Sequence, residues 1–153
     1  MADQFPVDDG SFLQAYIDDH HDFLSWLGTR VASLERGRIV MSVPYDDKLT
    51  NTHPGGSEGR PEIHGGVAAT LIDTAGGLAL RTTLDEPFEG GVATINLNVN
   101  YLQRATNDLT ATAEVVRAGG SVGVSEITVE SETEEGTRPV ATGQGAYRLF
   151  RGD

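Results

Sequence analysis

The chain contains no cysteine, which removes disulfide staples, thiolate metal sites and a thiol nucleophile together. Lysine is nearly absent: Lys48 stands alone beside ten arginines. No apolar run approaches the roughly 20 residues that span a bilayer. The opening Met-Ala-Asp-Gln-Phe-Pro-Val-Asp-Asp lacks the basic segment and apolar stretch of a secretory signal. There is no internal repeat, low-complexity tract or dividing linker. These absences lead us to expect a cytoplasmic protein whose residues 1–153 form one domain, with 1–28 as a helical extension.

Acid is abundant: 23 aspartates and glutamates against 11 basic residues, a net charge of -12. Such a field repels nucleic-acid phosphates and anionic membranes, so neither is an expected partner. In molar salt, where the Debye length shrinks to about 3 Å, the self-repulsion is screened. The composition therefore points to a salt-loving source, the alternative being an ordinary acidic enzyme.

Apolar residues Phe12, Tyr16, Phe23, Leu24 and Leu27 recur at mostly helical spacing, predicting one helix from Asp9 to Leu27, capped by Asp9 or Ser11 and stopped by Gly28. Strands are expected at 29–35 and 38–45 about a turn at Arg36-Gly37. Residues 46–63 read as a polar loop with Pro54, Gly55, Gly56, Ser57, Gly59 and Pro61. Residues 64–84 then read as a helix that is apolar almost all round and so almost wholly buried. Thr94 to Tyr101 alternates polar and apolar without a fault. Strands follow at 109–116, 121–131 and 139–150, with a bulge expected near Ser125-Glu126, where the apolar register shifts. One buried helix beside six antiparallel strands predicts an α+β fold in which the sheet wraps the helix.

The segment Ile63-His64-Gly65-Gly66-Val67-Ala68-Ala69-Thr70-Leu71-Ile72-Asp73 concentrates the chemistry. Two glycines open the helix, and bare N–H groups at the positive end of its dipole can polarise a carbonyl or hold an oxyanion. Asp73 interrupts an apolar helix, an expensive place for a carboxylate unless it is bonded or functional. Alone it would read as a structural cap; paired with the Gly-Gly start it reads as catalytic. Eight residues separate Gly65 from Asp73, about 12 Å along one helix. Both groups can meet one carbonyl only if a two-fold axis lays two such helices antiparallel, so the site requires a dimer. His20-His21 lack metal-binding spacing and are assigned to the surface. The glycine-rich 55–59 stretch lacks the Lys of a P-loop, and no Gly-x-Ser-x-Gly elbow occurs.

His-Gly-Gly with an Asp nine positions after the histidine resembles the phenylacetic-acid-degradation (PaaI-type) branch of the hotdog thioesterase superfamily. Gly91 to Tyr101 is similar to that branch's third strand, and Leu102-Gln103-Arg104-Ala105 to the turn after it. The resemblance covers residues 30–150. It implies a hotdog fold and hydrolysis of acyl-CoA or aryl-CoA thioesters without metal or organic cofactor, in a homodimer or a homotetramer built from it. By position it implies that Gly65 N–H polarises the carbonyl while the partner's Asp73 activates water or attacks directly. Thr94 would orient the water. Asn51 stands where the branch has an assisting asparagine, although the stretch 52–63 is longer than usual and its extra residues suit a lid. His64 and Gly66 would contact substrate, and Arg104, with Arg117 and Arg148, is a candidate for CoA phosphates. Asn96, Asn98 and Asn100 share a strand face suited to a second interface or to water. The alternative function is a non-catalytic hotdog dimer that binds acyl-CoA or a protein; a hotdog dehydratase is more distant, since its Asp/His pair is not recognisable.

Overall fold

The computed structural model describes residues 10–51, 59–87 and 89–152. Among these residues three α-helices and six strands follow in the order α1 (Ser11–His20), α2 (Asp22–Leu27), β1 (Arg30–Glu35), β2 (Arg38–Val43), α3 (Gly65–Arg81), β3 (Gly91–Tyr101), β4 (Leu109–Ala118), β5 (Val122–Thr133) and β6 (Gly136–Phe150), with a single 3-10 turn at Asp47–Leu49 before α3. The strands form one antiparallel sheet in the order β1-β2-β4-β5-β6-β3, and α3 packs against β2 through β6. This is the sheet wrapped around one helix that the alternation and the single apolar helix predict, and the hotdog fold that the resemblance implies.

Small residues let the sheet close on α3. Gly123 and Ser125 on β5 and Ala141, Gly143 and Gly145 on β6 alternate toward the helix. A Cβ on Gly143 would lie 2.6 Å from the Asn98 carbonyl oxygen and 2.7 Å from Ile72 Cγ2. Neither neighbour yields easily, because one is backbone and the other is a fully buried side chain. Gly143→Ala is therefore expected to destabilise the fold by about 2 kcal/mol, read from a denaturant titration at fixed protein concentration.

The N-terminal segment departs from expectation. Instead of one helix there are two, parted at His21, whose φ of -125° and ψ of 84° leave the helical region. The imidazole Nδ1 accepts a bond from Leu24 N–H at 3.3 Å and so starts α2. The break resets the helical phase. The buried stripe is Leu13, Ile17, Leu24 and Leu27, while Phe12, Tyr16 and Phe23 are exposed. Gly10 occupies the N-cap of α1; Asp9 lies outside the described residues. Gly28, at φ 79°, ends α2 as expected.

Two more expectations need correction. The helix is not buried all round: Val67, Ala68, Leu71, Ile72, Ala75, Gly76, Ala79 and Leu80 face the sheet, and a half-buried stripe (Ala69, Thr70, Asp73, Thr74, Gly77) faces away. The bulge foreseen in β5 lies on the neighbouring strand, where Val116 of β4 is the extra residue opposite Ser125. Ser125 itself points inward, its hydroxyl donating to the Gly76 carbonyl at 2.9 Å. A small polar residue inside and valines outside mimic a register shift in the sequence.

Candidate active site

Asp73 sits midway along α3, on the half-buried stripe. Its Oδ1 accepts a hydrogen bond from Thr94 Oγ1 at 2.6 Å. The strand geometry behind that contact is unexpected. In an unbroken pleat Thr94 would share a face with Asn96, Asn98 and Asn100. Instead Ile95 is an extra residue against β6, since Thr94 pairs with Tyr147 and Asn96 with Ala146. The bulge expels Ile95, 57% exposed, and turns Thr94 toward the helix along with Leu97 and Val99. The faultless sequence alternation thus hides a change of face at its first residue.

A second group converges on the same turn of α3. Tyr147, buried on β6, donates its hydroxyl to the Asp73 carbonyl oxygen at 2.9 Å. Burial, then the nearby Asp73 charge, push the phenol well above the usual tyrosine range, so it remains a proton donor across ordinary pH. Gly76 and Gly145 have no room for a Cβ because the Tyr147 ring end occupies that space. Sequence reasoning missed this residue. Its signal was Gly143-Gln-Gly145-Ala-Tyr147, where two glycines and a tyrosine fall on one face of a strand.

Two main clefts meet α3, one at its middle and one at its start. One, about 490 Å³, lies between α1–α2 and α3, with Asp73 in its wall. A smaller hollow of about 210 Å³ reaches Asp73 from the side of Thr94, Gly77 and Tyr147. The other main cleft, about 340 Å³, is at the helix start and brings together His64, Gly65, Tyr101 and Arg104. Within one chain, then, the expected amide and the expected carboxylate open onto separate spaces.

At that helix start, only one of the two amides is bare. His64 Nδ1 accepts from Gly66 N–H at 2.8 Å and caps the helix. The Gly65 N–H has no hydrogen-bond partner among the described residues, while its carbonyl accepts from Tyr101 Oη at 2.8 Å. Asn51 is drawn to this region by the pairing of the loop's ends. Its N–H donates to the Glu62 carbonyl at 2.9 Å, beside the Thr50–Ile63 bridge, and His64 N–H donates to Leu49 O at 2.8 Å. Residues 52–58, where a lid was expected, lie outside the described residues. Arg104 is exposed, 4.0 Å from Glu62 Oε2. Arg148 stacks over Phe150 and donates to Ser121 O, and Arg117 is exposed. Asn96, Asn98 and Asn100 stay on the outer face of β3. His20 and His21 are exposed, as expected. Among the described residues, no three histidine or carboxylate side chains gather as a metal site, and no helix is long and apolar enough to cross a membrane.

The model of the thioesterase superfamily matches residues 62–137, the stretch from the loop's end through α3, β3, β4 and β5. A Halobacterium salinarum protein provisionally described as an esterase is 49% identical over 153 residues, covering 97% of this chain and 98% of its own. The 1,4-dihydroxy-2-naphthoyl-CoA hydrolase of Listeria monocytogenes is 31% identical over 110 residues, 71% of this chain and 82% of that one. Among solved structures, a thioesterase family protein from Silicibacter pomeroyi superposes with a TM-score of 0.79 at 26% identity, covering 94% of this chain and 98% of the other.

Proposed function

Because this chain belongs to the thioesterase superfamily and has its hotdog fold, we propose that it hydrolyses acyl-CoA or aryl-CoA thioesters, with Asp73 as the catalytic carboxylate. The observation that carries this reading is Asp73 itself, a carboxylate bonded to Thr94 in the wall of an otherwise largely apolar cleft. The family and the named CoA hydrolase among the relatives support thioester hydrolysis.

The active unit is a homodimer, in which Gly65 of one chain and Asp73 of the other address one carbonyl; pairing of such dimers gives a homotetramer. The two groups lie about 12 Å apart along their own helix, and a two-fold axis closes that gap. With Asp73 as base, the carboxylate takes a proton from water as the water oxygen bonds to the thioester carbon. The Gly65 N–H stabilises the resulting oxyanion, whose collapse breaks the C–S bond, and the proton passes to the CoA thiolate. With Asp73 as nucleophile, its oxygen forms a mixed anhydride, CoA thiolate leaves, and water opens the anhydride. Thr94 holds Oδ1 in place along either route. Asn51 and His64 shape the turn before Gly65, Gly66 completes it, and Arg104 offsets CoA phosphate charge. No organic cofactor or metal is required, and the location is cytoplasmic.

Free-thiol release from a panel of CoA thioesters tests the reading. Turnover by the wild-type protein that Asp73→Ala abolishes is the expected result. Tight acyl-CoA binding with no release of thiol in low or molar salt would favour the non-catalytic alternative.

A halophilic setting is part of the same proposal, supported by the charge of -12 and the single lysine. Locally, the Glu86 carboxyl is raised above the usual range by its hydrogen bond with Glu89 and by that neighbour's charge. This crowding is relieved by screening. Raising KCl from about 0.1 M to about 1 M is expected to raise Tm by several degrees, about 1–2 kcal/mol. Best stability in dilute buffer would rule this out.

A further inference from the structure

From the cleft between the N-terminal helix pair and α3 we infer the class of acyl group: uncharged and apolar, of medium chain length or bearing a ring, with no terminal carboxylate. This deepens the thioesterase reading and rests on it. Leu13, Ile17 and Leu24 supply the N-terminal side of the wall, Leu78 and Leu97 the opposite side, and Asp73 lies among them. A thioester carbonyl brought to Asp73 therefore has an apolar space of about 490 Å³ directly alongside, within the range of sites for drug-sized ligands.

The sign of charge in the cleft fixes the rest. Among the described residues of this chain, neither lysine nor arginine lines it. His21 does line it, but its Nδ1 accepts the Leu24 N–H at 3.3 Å and so is turned to its own helix rather than to the cleft. Besides His21, the one ionisable carboxylate or cation among the described lining residues is the carboxylate of Asp73. A second carboxylate on the acyl tail would be desolvated with no cation to meet it and a like charge nearby. The helix pair thus selects against acidic acyl groups and rewards apolar length. Tyr16 and Phe23, both exposed on one side while lining the cleft on the other, set its mouth.

The test compares kcat/KM for acetyl-, pentanoyl-, octanoyl-, phenylacetyl- and glutaryl-CoA. Each added methylene is expected to raise kcat/KM about fourfold until the cleft is filled, and phenylacetyl-CoA to rank with the longer chains. Glutaryl-CoA, equal in chain length to pentanoyl-CoA, is expected to be at least about a hundredfold poorer. Tyr16→Arg, at an exposed helical site that tolerates it, should narrow the pentanoyl-to-glutaryl ratio about tenfold or more by supplying the missing cation. Phe23→Ala should flatten the gain with chain length. Turnover lost in Asp73→Asn, but indifferent to chain length, favouring glutaryl-CoA or unmoved by both variants, would overturn the pocket assignment and leave the hydrolase standing. No turnover of any thioester would overturn both.

Discussion

Asp73→Asn is expected to lower kcat by about a thousandfold, within the range that removing a general base or nucleophile costs, while leaving the fold and the oligomer intact. Asparagine preserves the shape, and its amide oxygen can still accept the Thr94 hydroxyl that now sits 2.6 Å from Oδ1. What it lacks is basicity and anionic nucleophilicity. Acyl-CoA binding by this variant should therefore remain near wild type, and circular dichroism and sedimentation should superimpose. A variant that turns over at more than about a tenth of the wild-type rate would remove Asp73 from the chemistry. The wild-type protein also separates the two routes. In a single turnover in oxygen-18 water, with enzyme in excess, base catalysis places the label in the released acid. Label in the protein carboxylate can arise only from attack by Asp73, when water opens the anhydride at the aspartyl carbonyl.

Gly65→Pro is expected to reduce kcat by about a hundredfold to a thousandfold, the cost of deleting one oxyanion donor. Proline removes the N–H and nothing else that the helix needs. Gly65 is the first residue of α3, the position proline tolerates best, and His64 already has φ -57° and ψ 133°, the conformation that a residue before proline prefers. The ring must displace the exposed Tyr101 side chain, which lies 3.0 Å from the Cβ position. Complementation makes the result specific to a shared site. Equal amounts of Gly65→Pro and Asp73→Asn chains, unfolded and refolded together, give mixed dimers in which one of two sites carries both intact groups. Random pairing should restore about a quarter of wild-type activity. A mixture no more active than its separate components would mean that the amide and the carboxylate do not act across chains.

Much of this architecture was legible because burial imprints a period on sequence. The α3 segment showed itself by apolar density and β3 by alternation, and both are where the pattern put them. The failures share a cause: a pattern of residue types does not register where the backbone skips. His21 breaks a helix that hydrophobic spacing joined, because an imidazole caps the second half as well as a serine would. The β4 bulge at Val116 left its trace on β5, since what the sequence revealed was a small residue facing α3, not an extra one. At the site, Asp73 and Gly65 stood out as local oddities, a charge in an apolar helix and a glycine pair at its start. Tyr147 did not, because its role arises from 74 residues of separation closed by the sheet. The N-terminal helices read as a mere addition, yet they wall the space beside Asp73.

The bulge at Ile95 makes the Thr94–Asp73 contact a matter of counting rather than chemistry. Deleting that one solvent-facing residue would restore regular pairing and still keep Thr94 on the helix face, two places before Leu97. Regularising the strand with Ile95 retained would instead leave every polar group of the cleft unaltered in identity, yet aim the threonine hydroxyl outward and set Ile95 against the carboxylate. The irregularity of this strand therefore carries a functional weight that substituting its polar residues one by one would not reveal.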